Sequence, residues 1–317
     1  MKYNRLIPSL LTILLVSCSN AKTATSKILC FDTYIDIKLT EGNKNNINDI
    51  ENIFYQYDIL SDNYQPRGTN NVYKINQTNE PVVVDEKLYQ LLKASFSVNE
   101  KGAILFNPLC GSLAKKWKES LDKKEVLSDA IIQEELKKII NTQFHFLDNN
   151  TVQKEGPAEI DLGGIAKGYS LDHVKAYLDA NEKTQYLINA GSSSILLGEK
   201  NTKDGLFTVG LKDINNAYLK LKNCFVSTSS ISEQNAVIDG ATYSHIINPL
   251  TGSAQSVNDA VIVISNSGYQ GDALSTSMMM NSVEVIKTLE STFDVKTIVV
   301  KNGEIIYQNT NLEVHYY

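Results

Sequence analysis

Two stretches of this 317-residue chain carry residue types that suit a phosphate and a hard cation. In EIDLGGIAKGYSLDHV, residues 159–174, an alternating strand end with Ile160 and Leu162 runs into Gly163-Gly164 and then into a helical pattern with Lys167 in its first turn. A glycine turn opening a helix presents unpaired backbone N–H groups, and a lysine there adds a full positive charge. That lysine opposes the helix dipole, an oddity that an anion beside it would explain. In GDALSTSMMM, residues 271–280, Asp272 and Thr276 stand four apart, so on a helix their oxygens share a face. Such oxygens suit magnesium, and the two segments together suggest a magnesium-bound diphosphate. Plainer readings exist for the same residues. Gly163-Gly164 can simply turn a strand into a helix, Asp161 can cap that turn, and Asp272 can be the N-cap of a helix over 273–280.

Of four histidines, His145 falls in a loop, His173 near the helix of Lys167 and His315 in the tail, all suited to surface or packing roles. His245 lies in YSHIINPLTG, residues 243–252, on a short strand ending in a turn bounded by Pro249 and Gly252. A side chain at such a strand end can reach a cleft, although no carboxylate partner adjoins it in sequence.

The elements that must hold these segments show in the hydrophobic periodicity. Residues 28–39 alternate as a strand does, whereas 46–57, 88–98 and 131–140 repeat at helical spacing. LSDNYQPRGTNN, with Pro66 and Gly68, breaks the first helix into a loop suited to binding. ILFNPLCGSLAKKW, residues 104–117, passes from a short apolar strand through Pro108 and Gly111 into a helix with the single tryptophan. Residues 185–197 have a hairpin pattern, and further strands are expected at 206–211, 225–228, 260–264, 297–300 and 304–308. Asn302-Gly303 between the last two signals a type I′ turn. Strands and helices alternate without strict βαβ order and without a repeat of fixed period, which gives an α+β class with mixed or largely antiparallel sheet.

Lys2 and Arg5 precede an apolar run over 6–16, which at about 1.5 Å per residue is too short for a bilayer. It reads as a signal peptide over 1–17, followed by a polar tether over 18–27 and one domain over 28–317, large or of two packed lobes. With 36 acidic against 30 basic residues and no basic stripe, nucleic acid is excluded as a partner. Cys30, Cys110 and Cys224 are widely spaced and odd in number, so they form no metal clip; one bridge plus a free thiol, or three buried small hydrophobes, remain open.

Two resemblances extend these readings. Leu15-Val16-Ser17-Cys18 resembles the bacterial lipobox, which implies lipidation at Cys18 and a soluble body held to a membrane, facing the periplasm or the cell exterior. The order of five blocks, LSDNYQP at 60–66, FNPLCGSLAKKW at 106–117, EIDLGGIAKGYSLDHV, YSHIINPLTG and GDALSTSM, resembles the ApbE family of FAD:protein FMN transferases over about residues 29–290.

That resemblance implies an ApbE-like, T-fold-related single domain of two packed lobes with flanking helices. It implies magnesium at Gly164 (through its carbonyl), Asp272 and Thr276, set on the FAD diphosphate. It places FAD against Tyr64, Phe106, Asn107, Pro108, Asp161, Lys167, His245 and Ile246. A threonine or serine hydroxyl of an extracytoplasmic redox protein would attack the FMN-side phosphorus, releasing AMP, with Asp272 or His245 as base. The same site would serve an FAD diphosphatase, and a non-catalytic FAD-binding lipoprotein is the third reading. Departures from the family pattern are Phe31-Asp32-Thr33 for Met-Gly-Thr, Asn107 and Asn248 for aspartates, Leu250 for an arginine and Thr228-Ser229-Ser230 for Thr-Ser-Gly. They remove charge around the pocket and leave the three metal positions intact.

Overall fold

The structure, a computed structural model, describes residues 23–317, so the expected leader and Cys18 lie outside the described residues. In chain order the elements are β1 (Ala24–Cys30), β2 (Thr33–Leu39), α1 (Lys44–Ser61), α2 (Val72–Asn76), β3 (Val82–Val83), α3 (Glu86–Glu100), α4 (Gly111–Asp122) and α5 (Asp129–Ile140). The hairpin β4 (Gln143–Leu147) and β5 (Thr151–Glu155) then leads to α6 (Ala166–Ala180) and the hairpin β6 (Tyr186–Ala190) and β7 (Ser194–Leu197). There follow β8 (Phe207–Gly210), β9 (Ala217–Leu221), β10 (Cys224–Ser230), β11 (Asn235–Ile238), β12 (Ala241–Ser244) and β13 (Ala260–Ser265). The chain closes with α7 (Gly268–Met278), α8 (Val283–Phe293), β14 (Lys296–Lys301), β15 (Glu304–Gln308) and β16 (His315–Tyr316).

Eight strands form the main sheet in the order β1-β2-β6-β7-β10-β13-β14-β15, every neighbouring pair antiparallel. The alternative of a mixed sheet therefore narrows to an antiparallel one. β13 is buried along its whole length, and its two faces feed different cores. Val261 and Val263 meet Ala273 and Leu274 of α7 and the helical lobe of α3 and α4, while Ala260, Ile262 and Ile264 meet Leu219 of the small sheet β16-β9-β8. A third core joins Ile35 and Ile37 of β2 to Ile50 and Phe54 of α1 and to Leu171 and Val174 of α6. Each such fully buried side chain contributes about 1.5–3 kcal/mol of transfer free energy, so helices and sheet are bound as one body.

Local departures from expectation have local causes. Residues 28–39 form a hairpin and not one strand, because Phe31 and Asp32 both take left-handed backbone, φ 53° and 55°, and reverse the chain in two residues. Neither is the glycine or asparagine that advertises such a turn; the Asp58 carboxylate holds it by accepting the Phe31 N–H at 2.8 Å. Residues 24–27 of the expected tether belong to β1 and pair with β2. Residues 104–106 are a turn and not a strand, and the strand read at 160–162 is reduced to one parallel bridge from Glu159 to Cys110. His145 lies on β4, not in a loop. Asn302 and Gly303 have φ 53° and 73°, as the type I′ turn requires.

In the helical layer α6 and α7 meet backbone to backbone. A Cβ on Gly168 would sit 2.1 Å from the Gly268 carbonyl oxygen, and one on Gly268 would sit 2.3 Å from that of Gly168. Neither helix has a side-chain cap from its own N-cap residue. Each takes a carboxylate from the other: Asp172 of α6 accepts the N–H groups of Gly268 and Tyr269 at 2.8 and 2.9 Å, and Asp272 of α7 accepts that of Gly168 at 2.7 Å. Backbone contact permits no side chain, so Gly168→Ala is expected to cost about 3 kcal/mol in urea denaturation, at the upper end of overpacking effects. Gly210→Ala on β8, where a Cβ meets nothing within 4 Å, should shift the same midpoint little.

Candidate active site

A cavity of about 420 Å³ opens between the start of α6, the middle of α7, the β6–β7 turn, the end of β10 and the segment after β12. Phe106, Asn107, Asp161, Gly164, Lys167, His245, Ile246, Asp272 and Thr276 all line it. Segments far apart in sequence thus meet on one surface.

Asp272 lies in the second turn of α7, 6% exposed, and not at its N-cap. Its Oδ2 accepts Gly168 N–H at 2.7 Å and its Oδ1 accepts the Ser227 hydroxyl at 2.7 Å, while the Ser194 hydroxyl lies 2.8 and 2.9 Å from the two oxygens. Gly271 makes this possible, since a Cβ there would stand 2.7 Å from Ser227 Oγ. Burial pushes the Asp272 carboxyl up from its ordinary value; the Lys167 charge, then the serine and amide donors, pull it back down. Asp172 beneath it is pushed up to about 6, by burial first and with the Asp272 charge adding to the rise against the amide donors of α7.

The donor set fits magnesium. Gly164 stands one residue before Ile165, the N-cap of α6, where a carbonyl has no partner within the helix; the Gly168 N–H of the first turn goes to Asp272, and among the described residues no hydrogen bond ends on the Gly164 carbonyl. A Cβ on Gly164 would lie 3.2 Å from Thr276 Oγ1, so the glycine backbone adjoins the threonine hydroxyl, which also makes no hydrogen bond among the described residues. An uncommitted carbonyl, an uncommitted hydroxyl and one carboxylate form an all-oxygen set. No group of three or more histidine, cysteine or acidic residues suited to a metal occurs among the described residues. A cation here would therefore draw part of its charge balance from an anionic ligand, the usual situation for magnesium on a diphosphate. Lys167, half-buried on the same wall and in no ion pair among the described residues, supplies a cation for that ligand.

His245 follows β12 and keeps its imidazole Nδ1 3.2 Å from the Gln234 carbonyl. A carbonyl only accepts, so Nδ1 carries the proton and Nε2 is left as the acceptor. The ring reaches solvent at the cavity wall but is crowded by protein, and that desolvation holds its pKa below the ordinary 6.5; Gln234 and Glu233 act upward, Lys167 and Lys212 downward.

Asp161 accepts the Gly163 N–H at 2.7 Å, the turn-capping role read from sequence, while its own N–H donates to the Pro108 carbonyl at 2.8 Å. Pro108 thus holds Asp161 from behind and does not line the cavity. Tyr64 is likewise outside the lining, 52% exposed, with the ammonium groups of Lys115 and Lys118 at 4.9 and 5.2 Å from its ring centre. The three cysteines are free, which removes the bridge alternative, and Cys110 is half-buried on the cavity wall rather than fully buried.

Phe31 to Thr33, the counterpart of the family's Met-Gly-Thr, line the cavity, whereas sequence reasoning missed Ser194 and Ser227 as donors and Asp172 as a cap. Only the last had a signal: Gly-Tyr-x-x-Asp occurs at Gly168 to Asp172 and again at Gly268 to Asp272.

The model of the ApbE family matches residues 31–299. The chain belongs to the ApbE family. The FAD:protein FMN transferase of Klebsiella pneumoniae (strain 342) is 31% identical over 255 residues, 76% of this chain and 78% of that one. That of Treponema pallidum (strain Nichols) is 30% identical over 225 residues, 64% of this chain but less than two thirds, 62%, of its own length. The ApbE protein of Thermotoga maritima superposes with a TM-score of 0.77 at 27% identity, over 91% of this chain and 97% of that one. The fold is accordingly the α+β single domain of ApbE proteins, as the sequence resemblance implied.

In this ApbE chain the donors around Asp272 form one coupled unit. Ser227→Ala is expected to cost about 1–3 kcal/mol by urea denaturation at pH 7, because it strips a donor from a buried carboxylate. In an Asp272→Ala background the same change should cost far less, and simple additivity of the two would contradict the coupling.

Proposed function

We propose that this flavin-transferring enzyme of the ApbE family is a magnesium-dependent FAD:protein FMN transferase that modifies a threonine or serine of an extracytoplasmic redox protein and releases AMP. One observation carries the reading: the buried Asp272, Gly164 and Thr276, whose carbonyl and hydroxyl make no hydrogen bond among the described residues, and Lys167, which makes no ion pair among them, all line a single cavity. The activity shared by its relatives in Klebsiella and Treponema supports it.

In this reading the acceptor hydroxyl oxygen bonds to the FMN-side phosphorus as the bond from that phosphorus to the bridging oxygen breaks, and AMP leaves with the bridging oxygen. Lys167 balances negative charge on the diphosphate as it shifts toward the leaving side. Gly164, Asp272 and Thr276 would hold magnesium, which when bound neutralises the diphosphate. Asp272 already accepts from three donors, so its role is to hold a cation; His245, with Nε2 free of a proton, takes the hydroxyl proton. Phe106, Asn107, Asp161 and Ile246 shape the walls for FAD. Cys18 is the lipid-bearing residue, and the enzyme works at a membrane surface facing the periplasm or cell exterior.

Incubation with FAD, Mg²⁺ and a threonine-bearing acceptor domain is expected to yield an FMN adduct by mass spectrometry and AMP in equal amount. AMP without adduct would make the chain an FAD diphosphatase, and bound FAD with neither product would make it a carrier. Asp272→Ala is expected to lower adduct formation at least ~10²-fold, the scale of losing an electrostatic stabiliser of the transition state. Because His245 titrates below 6.5, it is a neutral base at pH 7 and is lost only as pH falls further. The acid limb of kcat/KM should therefore lie below pH 6.5 and disappear in His245→Gln, which should fall ~10²–10⁴-fold; a limb unchanged in that variant assigns the proton to another group.

A further inference from the structure

We propose that Asp172 is a positioning residue for the site: from α6 it fixes the first turn of α7, and through it Asp272 and Thr276. The proposal rests on the assignment of those two residues to magnesium. Its basis is the duplicated helix start, Gly168-Tyr169-Ser170-Leu171-Asp172 and Gly268-Tyr269-Gln270-Gly271-Asp272. The two copies face each other nearly symmetrically. Their glycines are in backbone contact, their tyrosine rings meet edge to face at 5.9 Å, and from the first turn of the opposite helix Asp272 accepts one N–H and Asp172 two.

The copies differ in what surrounds them. Four residues before the glycine, the α6 copy has Gly164 and the α7 copy Ile264; one residue before it, Lys167 is matched by Ser267. Four residues after the aspartate, Thr276 of α7 is matched by Ala176 of α6. The cation, the free carbonyl and the hydroxyl therefore gather around Asp272 alone. Among the described residues, the Asp172 carboxylate accepts only from the Gly268 and Tyr269 N–H groups and, at 3.4 Å, from the Ser267 hydroxyl.

Those bonds set something that the glycine contact cannot. Two glycines in contact limit how close the helices come but not how far one slides along the other. A slide of one residue, about 1.5 Å, would break the bonds of both aspartates together. Asp172 thus fixes the sliding position of α7, which determines where Asp272 and Thr276 stand relative to Gly164 and Lys167.

The test is FAD binding to the detergent-solubilised full chain, followed by flavin fluorescence in EDTA and in MgCl₂. For the unmodified protein, magnesium is expected to tighten FAD binding. Asp172→Asn is expected to lose at least ten-fold of that gain while its affinity in EDTA changes less than two-fold. Asp172→Glu keeps the charge, is expected to fold, and should lose at least three-fold by displacing the carboxylate; it decides the matter if the asparagine variant does not fold. A gain undiminished in the folded variants, even with a lowered unfolding midpoint, would reduce Asp172 to a stabilising cap and overturn the proposal. An unmodified chain whose FAD affinity ignores magnesium would instead overturn the magnesium reading, and the positioning role with it.

Discussion

The contact on which the site depends is the one between two glycines, Gly168 and Gly268, where α6 and α7 meet backbone to backbone. Helix packing usually interposes side chains and separates axes by roughly 8–10 Å. Here their absence brings each helix N-terminus within reach of a carboxylate on the other. The macrodipole favours a negative charge at both places, so the same arrangement that closes the layer also anchors Asp272. The cavity is in this sense a by-product of helix packing, with the sheet strands β7 and β10 contributing the two serines that complete the carboxylate's shell.

Charge in the cavity is arranged with economy. Asp272 is the one buried carboxylate of a lining that also carries Asp32, Asp161 and Glu233 nearer solvent, against the single ammonium of Lys167; the burial of Asp272 is opposed first by that ammonium. Hydroxyl and amide donors orient Asp272 without neutralising it. With carboxylates outnumbering ammonium groups in this lining, a bare dianionic diphosphate would meet net repulsion, and a divalent cation bound with it would offset that.

Much of this was readable in residue types and spacing, for identifiable reasons. Hydrophobic period located α1, α3 and α5 and most strands of the sheet because their buried faces are continuous. Gly164, Lys167, Asp272 and Thr276 were legible because chemistry confines them to a turn and one helix face. The hairpin at Phe31-Asp32 was not, since its left-handed turn is held by a distant carboxylate, Asp58, rather than by a glycine. Ser194 and Ser227 were hidden for a related cause: a serine on a strand looks the same whether it faces solvent or a buried aspartate 45 or more residues away. Tyr64 and Pro108 show the converse, family positions whose side chains here stand beside the cavity rather than in its wall.

The wall that carries His245 is tied to the helical lobe by the chain's single tryptophan. Trp117 is 2% exposed, donates its indole N–H to the Gly252 carbonyl at 2.8 Å and stacks on Tyr243 at 5.6 Å. These contacts bracket residues 243–252 at both ends. Because no other indole is present, emission excited beyond the absorption of the 16 tyrosines comes from a fluorophore packed against that segment. Nature has in effect installed an optical gauge on one side of the cavity, able to register rearrangement of the His245 wall without any label.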